Sequence, residues 1–248
     1  MSYIEISVPN NTKIAVIGDI HEHDKQFYEM LDQISPSEKM WAVSVGDVYN
    51  KGFGRSVGDK ITDTLIDLSK KKIGYAVKGN HEIKIARLAS KSGDKISEQL
   101  SWFNNLPLVI SFIFENKTRL TVLHGGVTKN HTLKDLKTNN EMAYVRTLNE
   151  KGNYIKLSKT KDDKGNDVLL PEEIGIPWHE VYDGRFGYIA SGHNAQHDGI
   201  AKFYKYSCNL DSACYDTGVL CGQIFSEDGL DKSLRVIGEA FTPGKRYW

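Results

Sequence analysis

Five short runs rich in valine and isoleucine, each closing on or beside a glycine, constrain the fold of this chain more than any other feature. They are "KIAVIG" (13–18), "MWAVSVG" (40–46), "IGYAVKG" (73–79), "LTVLHG" (120–125) and "YIASGH" (188–193). A short continuous apolar run bounded by a turn signal reads as a buried strand. Between the early runs lie segments of helical period. After Asp24, read as an N-cap, Phe27, Met30, Leu31 and Ile34 trace one apolar stripe; Val57, Ile61, Leu65 and Leu68 trace a second, and Ile96, Leu100 and Phe103 a third. Strands alternating with helices predict a parallel sheet with helices packed on its faces.

The residues that follow these runs carry chemistry a strand end does not need. Asp19 and His21 follow the first, Asp47 the second, Asn80, His81 and Glu82 the third, His124 the fourth and His193 the fifth. One such residue alone is ordinarily a turn former. In an open parallel sheet, however, the carboxyl ends of the strands converge on one crevice, so residues far apart in sequence meet there. Two carboxylates (Asp19, Asp47), three histidines (His21, His124, His193) and the Asn80 amide exceed the needs of one tetrahedral ion. A pair of ions bridged by one carboxylate uses all six. Oxygen and imidazole donors without thiolate favour Mn²⁺, Fe or Zn²⁺ over Ca²⁺. Paired ions roughly 3.5–4 Å apart are a device of phosphatases.

Bulk properties narrow the remaining classes. The 32 basic and 32 acidic side chains cancel, so no global positive field draws the chain onto nucleic acid. The opening "MSYIEISVPNN" lacks the pattern of a signal peptide, and no apolar run approaches the ~18 residues of a membrane span. Cys208, Cys214 and Cys221 form no C-x-x-C pair, which fits buried, reduced thiols in a cytoplasmic protein. The stretch from Tyr154 to Pro171 alternates and then breaks at Asp163–Asn166, predicting a hairpin or flap within an insertion at about 151–177. Its lysines, Lys156, Lys159, Lys161 and Lys164, read as a solvated loop face. "GVLCGQIF" and "LRVIGEAF" read as late strands, and residues 1–248 as one domain.

In order, "GDIH", "GDVYNKG", "GNHE", "HGG" and "GH" span Gly18 to about Gly222, together with "NLDSACYDTGVLCGQ" (209–223). This series resembles the calcineurin-like metallophosphoesterases and, more narrowly, the phosphoprotein phosphatase family, whose pattern is GDxHG, GDxVDRG, GNHE, HGG and GH. The resemblance implies an α/β (α+β) fold in which two mixed β-sheets pack as a sandwich flanked by helices, in place of a doubly wound sheet. It implies that Asp19, His21 and Asp47 hold one ion and that Asp47, Asn80, His124 and His193 hold the other, with Mn²⁺ the first expectation. His81 would be the general acid, oriented from the position of Asn50, while Lys51, Arg146 and Asn80 would contact the phosphate. The implied activity is hydrolysis of phosphomonoesters by hydroxide attack at a two-metal centre, with serine/threonine phosphoproteins as the first substrate class. A nucleotide or nucleic-acid end (a dinucleoside polyphosphate, a 2′,3′-cyclic phosphate or a 3′-phosphate) is the second. A non-catalytic protein that binds phosphorylated ligands is the third.

Three positions depart from the family pattern. Glu22 stands at the last glycine of GDxHG, and Asn50 and Lys51 replace the aspartate and arginine of DRG. An amide cannot supply the negative charge that would raise the basicity of His81. Lysine keeps the charge but gives up the bidentate fork. Arg55 stands near enough in sequence to compensate for Lys51, and Arg146 lies on a helix-like segment.

Overall fold

The structure, a computed structural model of the chain, describes residues 2–92, 97–138, 140–156, 159–161, 167–169 and 175–241. All five apolar runs form strands, but in two sheets. In the first, β2 (Lys13–Ile17), β3 (Met40–Ser44) and β4 (Gly74–Ala76) run parallel, and β14 (Val219–Ser226) and β15 (Gly229–Ile237) extend it antiparallel on the β2 side. The second has the order β1 (Tyr3–Ser7), β5 (Val109–Ile113), β6 (Arg119–Leu123), β11 (Tyr188–Ser191), β13 (Ser207–Asn209) and β12 (Lys202–Phe203). It mixes parallel and antiparallel pairs.

Successive residues on a strand point to opposite faces, and the burial follows that period. Ile14 and Val16 of β2 and Trp41 and Val43 of β3 meet Ile110 and Phe112 of β5 and Leu120 and Val122 of β6 in the layer between the sheets. Ala15, Ile17 and Ala42 turn the other way. They pack with Phe27, Met30 and Ile34 of α1 (Asp24–Ile34), Ile61, Leu65 and Leu68 of α2 (Arg55–Lys70), and Phe103 of α4 (Glu98–Asn105). A third cluster lies on the outer face of the six-stranded sheet, where Val109, Leu123 and Ile189 meet Leu136 of α5 (Leu133–Thr138) and Trp178 of α6 (Trp178–Val181). Cys208, Cys214 and Cys221 are buried, as expected of small apolar side chains.

Several local expectations shift. The single parallel sheet gives way to the sandwich because alternation of strand and helix stops after α4, and only long-range pairing assigns β6 and β11 to the second sheet. His23, not Asp24, is the N-cap of α1, and Asp24 is its first helical residue. The third stripe divides: Leu100 and Phe103 lie on α4, Ile96 falls outside the described residues, and α3 (Asn80–Ser92) precedes it. Arg146 is not helical; it sits between a 3-10 turn (Asn140–Ala143) and β7 (Thr147–Leu148). β7 pairs antiparallel with β10 (Ile176–Pro177), and the intervening segment carries the antiparallel strands β8 (Lys159–Lys161) and β9 (Asp167–Leu169). Residues 162–166, which include Lys164 and the expected break at Asp163–Asn166, lie outside the described residues. Among the described residues no helix is long and apolar enough to cross a membrane.

Candidate metal centre

The expected convergence at strand ends occurs, with contributions from both sheets. Asp19 and His21 follow β2, Asp47 follows β3, and Asn80 and His81 open α3 after β4; His124 follows β6 and His193 follows β11. Turning the chain this sharply requires left-handed backbone. His21, Glu22, Asp47, Asn50, Lys51 and His193 all have φ between 46° and 68°, six of the eleven described non-glycine residues with positive φ. Each such residue costs on the order of 1 kcal/mol or more, and such strain gathers at functional sites. Crowding is as severe: a Cβ on Gly192 would lie 1.8 Å from Asp19 Oδ1.

The six expected ligand side chains meet, and their ring nitrogens are sorted by backbone contacts. Nδ1 of His21 donates to Tyr49 O at 3.2 Å, leaving Nε2 3.9 Å from both Asp19 Oδ2 and Asp47 Oδ2. Nδ1 of His124 donates to Val45 O at 2.9 Å, so that Nε2 faces Asn80 Oδ1 at 2.9 Å and Asp47 Oδ2 at 3.3 Å. His193 is reversed: Nε2 donates to Tyr144 O at 3.2 Å, and Nδ1 is left as an acceptor that faces Arg146 Nη2 at 3.5 Å. Backbone N–H of His193 donates to both oxygens of Asp19 at 3.2 Å. Donors each about 2.1 Å from one ion stand roughly 3–4 Å apart, so these separations suit shared coordination. Two groups of ligand atoms within 4.8 Å of one another can hold an ion: His21, Asp47 and His81, and Asp47, His124 and His193. Asp47 belongs to both.

The electrostatics fit a dication. Asp19, Asp47, Glu82 and Asp211 are four buried carboxylates in this region. Burial, then the Asp211 charge, pushes Asp19 well above the usual carboxylate range. Burial also pushes Glu82 up to about 7, with Asp47 adding to the effect. For Asp47 burial is outweighed by His124, which holds the carboxyl well below its usual range. His124 is pushed up to about 9, because Asp47 and Asp19 overcome its burial. Burial brings His21 down to about 3 and depresses His193. The residues therefore present two lone-pair imidazoles, one imidazolium and several buried carboxyl groups whose ionisation is disfavoured without a neighbouring cation, a donor set matched to divalent ions.

Around this core the departures from the family pattern become legible. Asn50 Nδ2 lies 3.1 Å from His81 Nδ1, and His81 Nε2 is 3.9 Å from Asp47 Oδ2. Burial depresses His81, and Lys51 depresses it further against the pull of Asp47. Glu22, buried at the glycine position, accepts from Gly52 N–H at 3.3 Å and Gly54 N–H at 3.1 Å, bracing the loop that carries Asn50 and Lys51. Lys51 Nζ sits 4.3 Å from the centroid of the Tyr215 ring. Arg146 Nε donates to His193 O at 3.2 Å, and Nη2 is 3.5 Å from His193 Nδ1, which brings this cation to the centre as well. Arg55 opens α2 and is exposed.

Sequence reasoning noted Glu82 without giving it a role and passed over Asp211 and Tyr215. The Glu82 carboxylate accepts from the N–H groups of Asp47 (2.9 Å), Val48 (2.9 Å), Tyr49 (3.3 Å) and Gly79 (2.9 Å). It therefore shapes the turn that presents Asp47. Its signal was the last letter of "GNHE". Asp211 and Tyr215 lie within "NLDSACYDTG", where only folding shows which side chains turn inward.

Comparisons agree with this geometry. The family model for calcineurin-like phosphoesterases matches residues 12–213. No curated protein sequence matches the chain. A solved structure provisionally described as a diadenosine tetraphosphatase aligns with a TM-score of 0.70 and 22% identity over 95% of this chain and 98% of its own. A protein serine/threonine phosphatase from Saccharomyces cerevisiae aligns with a TM-score of 0.56 and 14% identity over 98% of this chain and 85% of its own. A cold-active protein-tyrosine phosphatase from a psychrophilic Shewanella gives 0.52 and 13% over 92% and 80%. At these identities the likenesses concern the fold. With five motif turns converging and the family model covering 12–213, the chain belongs to the calcineurin-like phosphoesterases.

Proposed function

We propose that this protein hydrolyses phosphoesters at a centre of two divalent ions, Mn²⁺ first among the candidates. The observation that carries the reading is Asp47, whose carboxylate is common to both groups of ligand atoms. Asp19, His21 and Asp47 would hold one ion, and Asp47, Asn80, His124 and His193 the other. Ions bound there supply Lewis acidity and lower the pKa of water, the chemistry two-metal phosphatases use.

The chain's own groups complete the reaction. Asn50 Nδ2 can only donate, so at 3.1 Å it meets a neutral His81 whose proton is on Nε2. Half a turn of the amide places Oδ1 against Nδ1–H and supports the imidazolium, the form that protonates the leaving oxygen. An aspartate would accept from Nδ1–H in either form and its charge would favour the imidazolium; asparagine meets both forms and stabilises the cation less. Lys51 and Arg146 bring positive charge to the transferring phosphoryl group, where charge develops most.

Two substrate classes suit such a centre. The motif series points to phosphoserine and phosphothreonine in proteins. A groove of about 490 Å³ favours nucleoside polyphosphates. It adjoins the centre at Asn80 and is lined by Tyr144, Tyr154 and Glu141 together with Lys84, Arg87 and Lys156. Aromatic faces for a base beside three cations for further phosphates match that class, and the fold shared with the diadenosine tetraphosphatase-like structure agrees.

Turnover of an aryl phosphate, a phosphothreonine peptide, a 2′,3′-cyclic nucleotide and a dinucleoside tetraphosphate by Mn²⁺-loaded protein separates the readings. The dinucleotide should exceed the peptide in kcat/KM, and His81→Ala should lower kcat by about 10²–10⁴-fold with both ions retained. The reverse ranking returns the phosphoprotein reading. No turnover on any substrate with two ions bound leaves a phospholigand-binding protein.

A further inference from the structure

Lys51 poses a problem that the motif turns do not solve. An ammonium on a flexible four-carbon stem lacks the pre-organised fork of arginine, and fixing it costs rotamer entropy. The side chain is exposed, and among the described residues no carboxylate holds it. Its backbone is fixed instead. Lys51 and Asn50 both lie in the left-handed region, at φ 67° and 68°, and the Glu22 carboxylate gathers the N–H groups of Gly52 and Gly54 immediately beyond them. Its tip is fixed by an aromatic face, with Nζ 4.3 Å from the centroid of Tyr215, well inside the ~6 Å range of cation–π attraction. The same ring stands edge-on to His21 at 5.3 Å, so it touches the rim of the metal centre.

We infer that Tyr215 is a positioning residue for phosphate binding, its ring holding the Lys51 ammonium at the mouth of the centre where the family pattern has an arginine. The inference rests on the role of Lys51 as a phosphate contact proposed above. The ring supplies the orientation that a guanidinium fork would otherwise provide, and it leaves the ammonium free of a competing anion. A carboxylate partner would fix Lys51 equally well but would cancel the charge that a phosphate needs.

A double-mutant cycle tests this, read by calorimetric binding of inorganic phosphate to Mn²⁺-loaded protein and by kcat/KM for p-nitrophenyl phosphate. Tyr215→Leu should weaken phosphate binding and lower kcat/KM about three- to fivefold, with bound Mn²⁺ unchanged. Tyr215→Phe, which keeps the ring face, should restore both quantities. In a Lys51→Met background Tyr215→Leu should add nothing. Equal effects of Tyr215→Leu in both backgrounds would overturn the inference, as would a Tyr215→Phe defect matching that of Tyr215→Leu. Loss of Mn²⁺ from Tyr215→Leu would overturn it in favour of a ring that supports His21. Unchanged phosphate binding in Lys51→Met would overturn it too, and would locate the failure in the Lys51 contact, not in the ring.

Discussion

At the scale of single residues, His124 carries a proton on the side that faces Asn80 and Asp47. Its Nδ1 is committed to Val45 O, so the proton on Nε2 occupies the direction in which the ring would meet an ion. With a pKa near 9, the ring is charged at neutral pH in the metal-free protein, and an ion must expel that proton. The sign follows: below about pH 9 the metal-free form holds one more proton than the loaded form, so the apparent affinity for Mn²⁺ rises with pH. The expected slope is about tenfold per pH unit between about 6.5 and 8, flattening as the pH approaches 9. Calorimetric titration in buffers of different ionisation enthalpy measures the protons released; a pH-independent affinity would refute this account of His124. The side chains that meet at the centre were legible in the sequence, because each lies within a few residues of a glycine that closes an apolar run. The tautomers were not, because each is set by a carbonyl from a turn remote in sequence.

Secondary-structure elements act on the centre through their ends. Glu82 lies in the first turn of α3, yet most of its hydrogen bonds reach the turn after β3. Glu82→Ala leaves four N–H groups without an acceptor, at about 1 kcal/mol or more each. Thermal denaturation should show a midpoint lower by about 10 °C, and Mn²⁺ content should fall because Asp47 is no longer held. A variant that keeps its midpoint and its metal would show that the turn stands without α3. Helix and strand identities were readable from period, since α1, α2 and the five glycine-bounded strands bury the side chains their spacing picks out. Element partners were not, because parallel or antiparallel pairing joins residues as distant as Ile17 and Gly222.

For the whole molecule, the sandwich gathers four buried carboxyl groups at one edge, and divalent ions bound there would offset the cost of ionising them together. Ions that bind only the folded state stabilise it by mass action, by about 2.7 kcal/mol at a hundredfold excess over Kd. Mn²⁺ at that excess should therefore raise the melting midpoint by about 5–10 °C, chelation should reverse the rise, and Asp47→Asn should abolish it. An unchanged midpoint would argue against an ion site in the folded centre. The sequence by itself determined the strand-forming runs, the residues at their ends and the family, since hydrophobic period and turn chemistry are local properties. Only the tertiary structure decided that the candidate ligands come from two sheets, that Asp47 stands between two groups of donors, that Glu82 and Glu22 hold the turns in place, and that the Tyr215 ring faces the Lys51 ammonium. Those contacts are made between strand ends and turns far apart along the chain, and they exist only once both sheets have packed on the common layer of Ile14, Val43, Phe112 and Val122.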